Sequence, residues 1–428
     1  MHRGDRPLGA FFQKEKKMAT KEMYEKLAKL AVRKGVNVQP DQPLVVSASV
    51  RDIAFVRMVA KEAYEAGARF VRINWSDVEL TRMDYEYQSM ETLQSIPQWS
   101  YDKRKDAIEQ KACFLTVRSD APGAFDGLDG EKSHAVQVAG AKKFKPLQSY
   151  TMNNEGQWCV LGIPSMEWAQ KIFPDLEPQA AFDKLEEAIF SVSRVTEEGD
   201  PIEAWNAHDS RLMGYGEKLT QYQFKALHFS SGLGTDLTVG LVKDHIWVGG
   251  GCFTPGGVYF DPNIPTEECF SMPEKTATEG IVYASKPLSY QGKIIENFWL
   301  RFEKGKVVAF GAEKEEESLK KLVEFDEGSS YLGEVALVPY DSPVSRSGIL
   351  FFNTLYDENA ACHLALGRCY PENIQGGTEM SEEELAAHGA NDSLTHCDFM
   401  FGTKDLDVDG ILPDGSRVPI FRQGNYVI

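Results

Sequence analysis

The sequence changes its pattern near Gly214, and this change constrains the fold more than any other feature. Before it, the apolar runs PLVVSASV and RFVRINW flank the amphipathic stretch RDIAFVRMVAKEAYEAG, and CFLTVRS and QWCVLGIP continue the alternation. After it, short strand-like runs such as KALHFSS, HIWVGGG and GEVALVP are separated by Gly and Pro. Alternating strands and helices are typical of a parallel sheet, whereas short strands between turn residues indicate antiparallel sheets. We therefore predict an α/β protein in which an open, doubly wound α/β domain precedes a β-rich α+β domain.

The length of 428 residues fits two such units, because one hydrophobic core seldom grows beyond about 250–300 residues. We place the first domain at residues 18–215 and the second, which carries the candidate metal ligands, at residues 216–428. Residues 1–17 are basic but lack the apolar stretch of a signal peptide. We expect them to be a disordered or artefactual N-terminal extension.

Charge and cysteine usage exclude several classes of partner. The net charge of −18, from 64 acidic against 46 basic residues, argues against a sequence-independent grip on nucleic acid or anionic lipid. No apolar run approaches the roughly 20 residues that span a bilayer. The seven scattered cysteines include no CxxC pair and are typical of free thiols in a reducing compartment. We therefore expect a cytoplasmic protein that binds neither nucleic acid nor membrane.

Common catalytic motifs are missing from the sequence. It contains no GxSxG, no GxxxxGK[ST] and no HExxH. The turn at Ser49–Asp52 lacks the glycines of a dinucleotide-binding loop. Cys362 directly precedes His363, but consecutive helical residues point about 100° apart, so no thiolate–imidazole pair is expected.

Side chains that commonly bind metals are concentrated in the second half. His396 and Asp398 are separated by one residue, and on a strand this spacing places both on one face. Glu334 lies in the apolar strand GEVALVP, where a buried acid must be paired or bound. A strand with a polar face toward water is the alternative for both motifs. They favour a metal site without establishing one.

His363 lies in DENAACHLALGRCY, which we predict to be an apolar helix. On such a helix Tyr370 follows two turns later on the same face, so the imidazole and the phenol would point into one cavity. A core histidine without a ligand is the simpler alternative. Asp357 and Glu358 are expected to stabilise the helix N-terminus.

Glu267 and Glu268 are adjacent acids in NIPTEECFSMPE, after an approach stiffened by Pro262 and Pro265. A solvated acidic loop is the simplest interpretation. The pair gains chemical meaning if one acid binds a metal while its neighbour stays free as a base.

Taken in order, these motifs resemble one protein family. NIPTEE, GEVALV, NTLYDENAACHLALG with its downstream tyrosine, and NDSLTHCDFMFG resemble the metalloaminopeptidases typified by aminopeptidase T, aminopeptidase S and PepS. The resemblance runs from about Met18 to the C-terminus. It implies a cytoplasmic, homodimeric exopeptidase with two divalent metal ions per subunit, drawn from Zn, Co, Mn and Mg.

The resemblance also implies a set of site residues. Tyr370 matches an additional active-site residue, and Glu267 is left free to act as the general base. The family's metal ligands carry over onto Glu268, Glu334, His363, His396 and Asp398. We accordingly predict that a metal-activated water hydrolyses the first bond of peptides with a free N-terminus. A metal-dependent amidase acting on non-peptide amides and a catalytically degenerate peptide- or metal-binding protein are the alternatives.

Overall fold

The structure is a computed structural model that describes residues 20–291 and 293–428. The extension predicted at residues 1–17 lies outside the described residues. None of the helices in the described ranges combines the length and apolarity needed to cross a membrane.

The first half of the chain alternates strands and helices, as its pattern predicts. The Thr20 side chain caps the first helix by accepting a hydrogen bond from the Met23 amide, and Gly67, with φ of 95°, follows the end of the second helix. The first helix continues as a turn of π-helix, Ala31–Gly35. The elements are α1 (Lys21–Leu30), β1 (Leu44–Ser49), α2 (Ile53–Glu65), β2 (Val71–Ser76), α3 (Val78–Tyr87), α4 (Met90–Gln94), α5 (Gln98–Glu109), β3 (Cys113–Arg118), α6 (Gly130–Met152), β4 (Trp158–Gly162), α7 (Met166–Ile172), α8 (Pro178–Val192) and α9 (Pro201–Tyr222).

The second half consists mainly of short strands between turns, also as predicted. Its elements are β5 (Ala226–Ser230), β6 (Asp236–Leu241), β7 (Val248–Gly249), β8 (Cys252–Phe253), β9 (Tyr259–Phe260), β10 (Asn263–Ile264), β11 (Cys269–Ser271), β12 (Pro273–Tyr283), β13 (Leu288–Tyr290), β14 (Lys293–Ile295), β15 (Trp299–Glu303), β16 (Lys306–Gly311), α10 (Glu316–Val323), β17 (Leu332–Leu337), α11 (Pro343–Arg346), α12 (Thr354–Asp357), β18 (His363–Gly367), α13 (Glu382–Ala387), β19 (His396–Met400), β20 (Asp407–Ile411), β21 (Arg417–Arg422) and β22 (Asn425–Tyr426).

The first sheet is parallel and is covered by helices on both faces. Its strand order is β10–β4–β3–β1–β2, and every pair in it is parallel. Side chains alternate across the sheet, so Val46 joins the core that contains Val59 of α2, while Val45 packs in the cluster with Tyr150 of α6. This arrangement confirms the predicted doubly wound α/β fold.

Two antiparallel sheets form the β-rich part. One has eight strands in the order β16–β15–β12–β6–β5–β20–β21–β22, and the other has five in the order β19–β18–β17–β11–β7. One apolar core contains residues of both, including Phe229 and Leu300 from the first and Val335 and Leu364 from the second. The predicted β-rich region is therefore confirmed.

The two halves are joined by more than a linker. Helix α9 runs through residue 215, where we placed the domain boundary. Strand β10 comes from the second half, yet it adds to the edge of the first sheet by pairing Asn263 with Val160 of β4. Nζ of Lys34, in the π-helical turn, lies 2.6 Å from Oδ2 of Asp209 in the first half and 3.6 Å from Oδ2 of Asp261 in the second, so a buried ion cluster also spans the two halves.

The helix predicted over DENAACHLALGRCY is wrong. The segment forms the short helix α12, a 3₁₀ turn at Glu358–Ala360 and then strand β18. Alanine and leucine favour helices locally, but β18 pairs along its length with β17 and β19. Pairing on both sides of the strand overrides the local preference.

Candidate metal centre

Neighbouring strands of the five-stranded sheet place the candidate ligands on one face. Glu334 of β17, Ala365 of β18 and Asp398 of β19 lie opposite one another in register. One pleat along, Ala336 pairs with His363. Residues two apart on a strand share a face. His363 therefore lies on the same face as Ala365, and His396 lies on the same face as Asp398. The small side chains of Ala336 and Ala365 leave space between the larger ones.

The five candidate ligands form two overlapping clusters that share Glu334. Ligand atoms of Glu268, Glu334 and His363 all lie within 4.8 Å of one another, and the same holds for Glu334, His396 and Asp398. Oε1 of Glu334 lies 3.4 Å from Nε2 of His363, and its Oε2 lies 3.4 Å from Nε2 of His396. The Glu334 carboxylate therefore faces both clusters, one oxygen toward each.

Backbone carbonyls fix the orientation of both imidazoles. Nδ1 of His363 lies 3.0 Å from the Glu358 carbonyl oxygen and 3.1 Å from that of Ala361. Nδ1 of His396 lies 2.6 Å from the Arg368 carbonyl oxygen. A carbonyl accepts only from a protonated nitrogen, so the lone pair of a neutral ring is on Nε2 and points into the cluster.

Burial and mutual charge set the protonation of these groups. Burial opposes a charged His363, but the Glu268 and Glu334 carboxylates outweigh it and hold the pKa of the imidazole well above its usual range. Burial raises the pKa of Glu268. Burial also disfavours ionised Asp398, yet His396 reverses the effect and lowers the pKa of that carboxyl. The groups therefore hold protons that a divalent cation would displace on binding.

Tyr370 lies beside this cluster, although not by the route that the sequence suggested. It follows β18 rather than ending a helix, and its ring stands edge-on to the His396 imidazole with centroids 4.9 Å apart. The phenol lines the same cavity as the candidate ligands.

Glu358 is a site residue that the sequence reading missed. Its carboxylate is buried and lines the cavity. Burial, together with the charges of Asp398 and Glu268, raises its pKa well above the usual range. We expected a helix cap, but the segment turns into β18 instead. The neighbouring Asp357 takes a structural role, since its oxygens accept hydrogen bonds from the Phe351 and Asn353 amides.

The structure places Glu267, which we predicted to be the general base, away from the cluster of candidate ligands. Its side chain is buried rather than solvated, and Oε1 accepts a 2.6 Å hydrogen bond from Nη2 of Arg194. Oε2 lies 3.7 Å from Nε2 of His208. Adjacent residues of an extended chain point to opposite sides, so Glu268 reaches the cluster while Glu267 points away from it. Glu267 is absent from the described lining of the cavity.

The cavity that opens onto the cluster has a volume of about 440 Å³ and lies between the two halves of the chain. Arg118 at the end of β3 and Trp158 of β4 contribute from the first sheet, and Phe270 and Glu372 from the second half. Residues at the carboxyl end of a parallel strand commonly line ligand sites.

Comparisons with known proteins agree with this geometry. The sequence profile of the thermophilic metalloprotease (M29) family matches residues 20–426. The chain belongs to this family.

Its M29 relatives match over nearly their whole length. Aminopeptidase AmpS of Bacillus subtilis (strain 168) is 47% identical over 399 residues, covering 93% of this chain and 97% of the relative. Aminopeptidase T of Thermus aquaticus is 42% identical over 407 residues, covering 95% and 99%. The solved structure of wild-type AmpT from Thermus thermophilus matches with a TM-score of 0.88 and 40% identity, covering 96% and 100% of the two chains. The resemblance inferred from the motifs is confirmed.

Membership of the M29 metalloprotease family implies a divalent metal, and the cluster fits one. Oε2 of Glu268 is buried 2.8 Å from Nε2 of His363, and Oδ1 of Asp398 is buried 3.4 Å from Nε2 of His396, so only a protonated imidazole could donate to either oxygen from these rings. Buried carboxylates are costly unless a cation compensates them, whether an imidazolium or a metal ion. The Nε2 lone pairs of His363 and His396 point to the same place. These residues can therefore hold a metal ion.

Proposed function

We propose that this protein is a metal-dependent aminopeptidase that uses two divalent ions. Glu268, Glu334 and His363 would hold one ion, and Glu334, His396 and Asp398 the other. The observation that carries the proposal is the Glu334 carboxylate, whose two oxygens face the two clusters as a bridging ligand would. The relatives named as aminopeptidases support the reaction class. Imidazole and carboxylate ligands suit Zn, Co or Mn, and less well Mg, which prefers oxygen alone.

Bound divalent ions would supply a polarised carbonyl and a water of lowered pKa. Side chains of the protein would supply proton transfer and stabilisation of the oxyanion. We assign proton transfer to Glu358, because its buried carboxylate lines the cavity and its pKa is raised. This carboxylate would accept the proton of the attacking water and pass it to the leaving amine. The Tyr370 hydroxyl would donate a hydrogen bond to the oxyanion that develops on the scissile carbonyl.

A cavity of about 440 Å³ suits the end of a peptide rather than a long extended segment. The free α-amino group would bind to the metal or to a carboxylate of the cluster, which restricts cleavage to the first residue. An amidase for non-peptide amides would have the same cluster without this restriction. A degenerate binding protein would hold metal without turnover.

Three measurements on the purified chain separate these functions. Hydrolysis of aminoacyl-p-nitroanilides should disappear with a chelator and return with Co²⁺, Zn²⁺ or Mn²⁺, and N-acetylated analogues should resist cleavage. Hydrolysis that resists the chelator would overturn the proposal. Activity on simple amides with rejection of every free peptide favours the amidase, and full metal occupancy without any turnover favours the binding protein. Metal analysis should give two ions per chain.

We further propose that the protein is a homodimer in the cytoplasm. Exposed apolar side chains on the first half of the chain support an association surface; they are Trp75, Leu80, Met83, Tyr87 and Trp99. The seven unpaired cysteines support a reducing compartment. Light scattering on the eluting protein should give twice the mass of one chain, and a monomeric mass would refute the dimer.

A further inference from the structure

Glu372 is an acidic residue of the cavity that lies outside both metal clusters. It follows Tyr370 by two positions, in the 3₁₀ turn Pro371–Asn373. Buried neighbours anchor this turn, since Nδ2 of Asn373 donates to the Phe270 carbonyl at 3.2 Å. The partly exposed Glu372 side chain lines the cavity. The turn that carries Glu372 is therefore anchored to β11 at the wall of the cavity.

A chain of hydrogen bonds orients the Glu372 carboxylate. The Trp158 indole nitrogen donates to Oδ1 of Asn154 at 3.3 Å, and Nδ2 of Asn154 donates to Oε2 of Glu372 at 2.6 Å. Oε1 of Glu372 has only the weak Cys252 thiol donor, at 3.8 Å. One carboxylate oxygen is thus tied to the wall of the cavity, and the other has only a thiol as its partner.

No basic residue neutralises Glu372 in the part of the chain that the structure describes. Its carboxylate accepts hydrogen bonds from the Asn154 amide and the Cys252 thiol, which are both neutral. Burial raises its pKa to about 7. The ionised Glu372 carboxylate has no positively charged partner among the described residues. A ligand with a positively charged group would therefore stabilise its ionised form.

The surrounding wall suits a long cationic side chain. Trp158 and Phe270 line the same cavity and offer aromatic surface. Lysine and arginine lay their methylene stems along apolar surface while the charged end finds an acid, and their charge is also attracted to aromatic faces. A neutral side chain of the same length could use the aromatic surface but not the acid.

We propose, on the basis of the proposed function, that Glu372 selects lysine or arginine as the N-terminal residue to be released. The carboxylate binds the ammonium or guanidinium group of that side chain, with Trp158 and Phe270 against its stem. Glu372 is in this role a specificity residue, distinct from the groups that bind metal or move protons.

The test compares matched substrates on the metal-loaded, full-length enzyme. Lysyl and norleucyl aminomethylcoumarin amides differ in the terminal ammonium but have similar stems. Wild type should prefer the lysyl substrate, and Glu372→Gln should lower the lysyl-to-norleucyl ratio of kcat/KM about tenfold, mainly through KM. Glu379→Gln is the matched control, because it removes an exposed acid from the same loop and should leave the ratio unchanged.

An unchanged lysyl-to-norleucyl ratio in Glu372→Gln overturns the proposal. An equal loss of kcat/KM on both substrates also leaves the ratio unchanged, and it would mean that Glu372 binds the α-amino group or supports the structure of the site. If no substrate is hydrolysed, the proposed function fails, and calorimetry with lysinamide and norleucinamide decides the role of Glu372 separately. Tighter binding of lysinamide that is lost in Glu372→Gln supports the proposal, and equal affinities refute it.

Discussion

Glu267 and Glu268 are consecutive residues whose carboxylates enter different environments. Oε1 of Glu267 lies 2.6 Å from the Arg194 guanidinium, and Oε2 of Glu268 lies 2.8 Å from Nε2 of His363. One acid is thus part of a buried ion pair behind the sheet, and the other belongs to the candidate metal centre.

This separation predicts two different mutant phenotypes. Glu268→Gln should bind metal about tenfold more weakly or worse, because a charged ligand is lost. Glu267→Gln should keep its metal but lower the free energy of unfolding by about 1–3 kcal/mol, because Arg194 loses its charged partner in a buried place. Metal analysis after desalting and urea denaturation measure the two effects. Loss of metal from the Glu267 variant alone would contradict the assignment.

Glu358→Gln should lower kcat about a hundredfold while metal content stays constant, since the amide cannot accept a proton. The matched variant is Asp357→Asn, which alters the adjacent acid outside the cavity and should act on stability instead. Steady-state kinetics and metal analysis on the same preparations check both. Equal kcat in wild type and Glu358→Gln would remove Glu358 from the mechanism.

Tyr370→Phe removes only the hydroxyl and keeps the ring against His396. We expect kcat to fall about a hundredfold, because a hydrogen bond to the developing oxyanion is lost, with KM and metal content little changed. A variant that matches wild type in kcat would show that the phenol only packs.

Ala365 lies between Glu334 and Asp398 in the register of the sheet. Ala365→Leu should place a large side chain among the ligands and lower metal occupancy, while the strand remains paired. Ala386→Leu, at an exposed position of α13, is the control, because it adds the same side chain away from the candidate ligands. Metal titration checks the prediction, and full occupancy in the Ala365 variant would refute it.

His208 predicts a dependence of stability on pH. Burial, followed by the charge of Arg194, lowers the pKa of His208 to about 3. The pKa of a histidine in the unfolded chain is about 6.5. Between these values the unfolded chain binds the extra proton, so this contribution to stability is lost as pH falls. His208→Gln does not titrate, and its stability deficit relative to wild type should narrow from pH 7 to pH 4. Urea denaturation at each pH measures the deficit; a constant value would contradict the linkage.

The positions of the candidate ligands on strands were predictable because their spacing is a local signal. His396 and Asp398 share a face by the two-residue period of a strand, and Glu334 was recognisable as an acid within an apolar run. His363 lies in the cluster, but we predicted it on a helix because its alanine and leucine neighbours suit a helix as well as a strand. Only the pairing of β18 with β17 and β19 decides between the two. Glu358 and Glu372 carry no local signal, because they reach the cavity through turns whose positions depend on distant contacts.

Strand β10 joins the two halves of the chain beside the candidate metal centre. It hydrogen-bonds to the first sheet immediately before the segment that carries Glu268, so the two halves cannot separate at this edge without breaking backbone hydrogen bonds. Pro262 and Asn263 also line the cavity, as does Val160 of the strand with which β10 pairs. This wall of the cavity is therefore continuous from one half of the chain to the other.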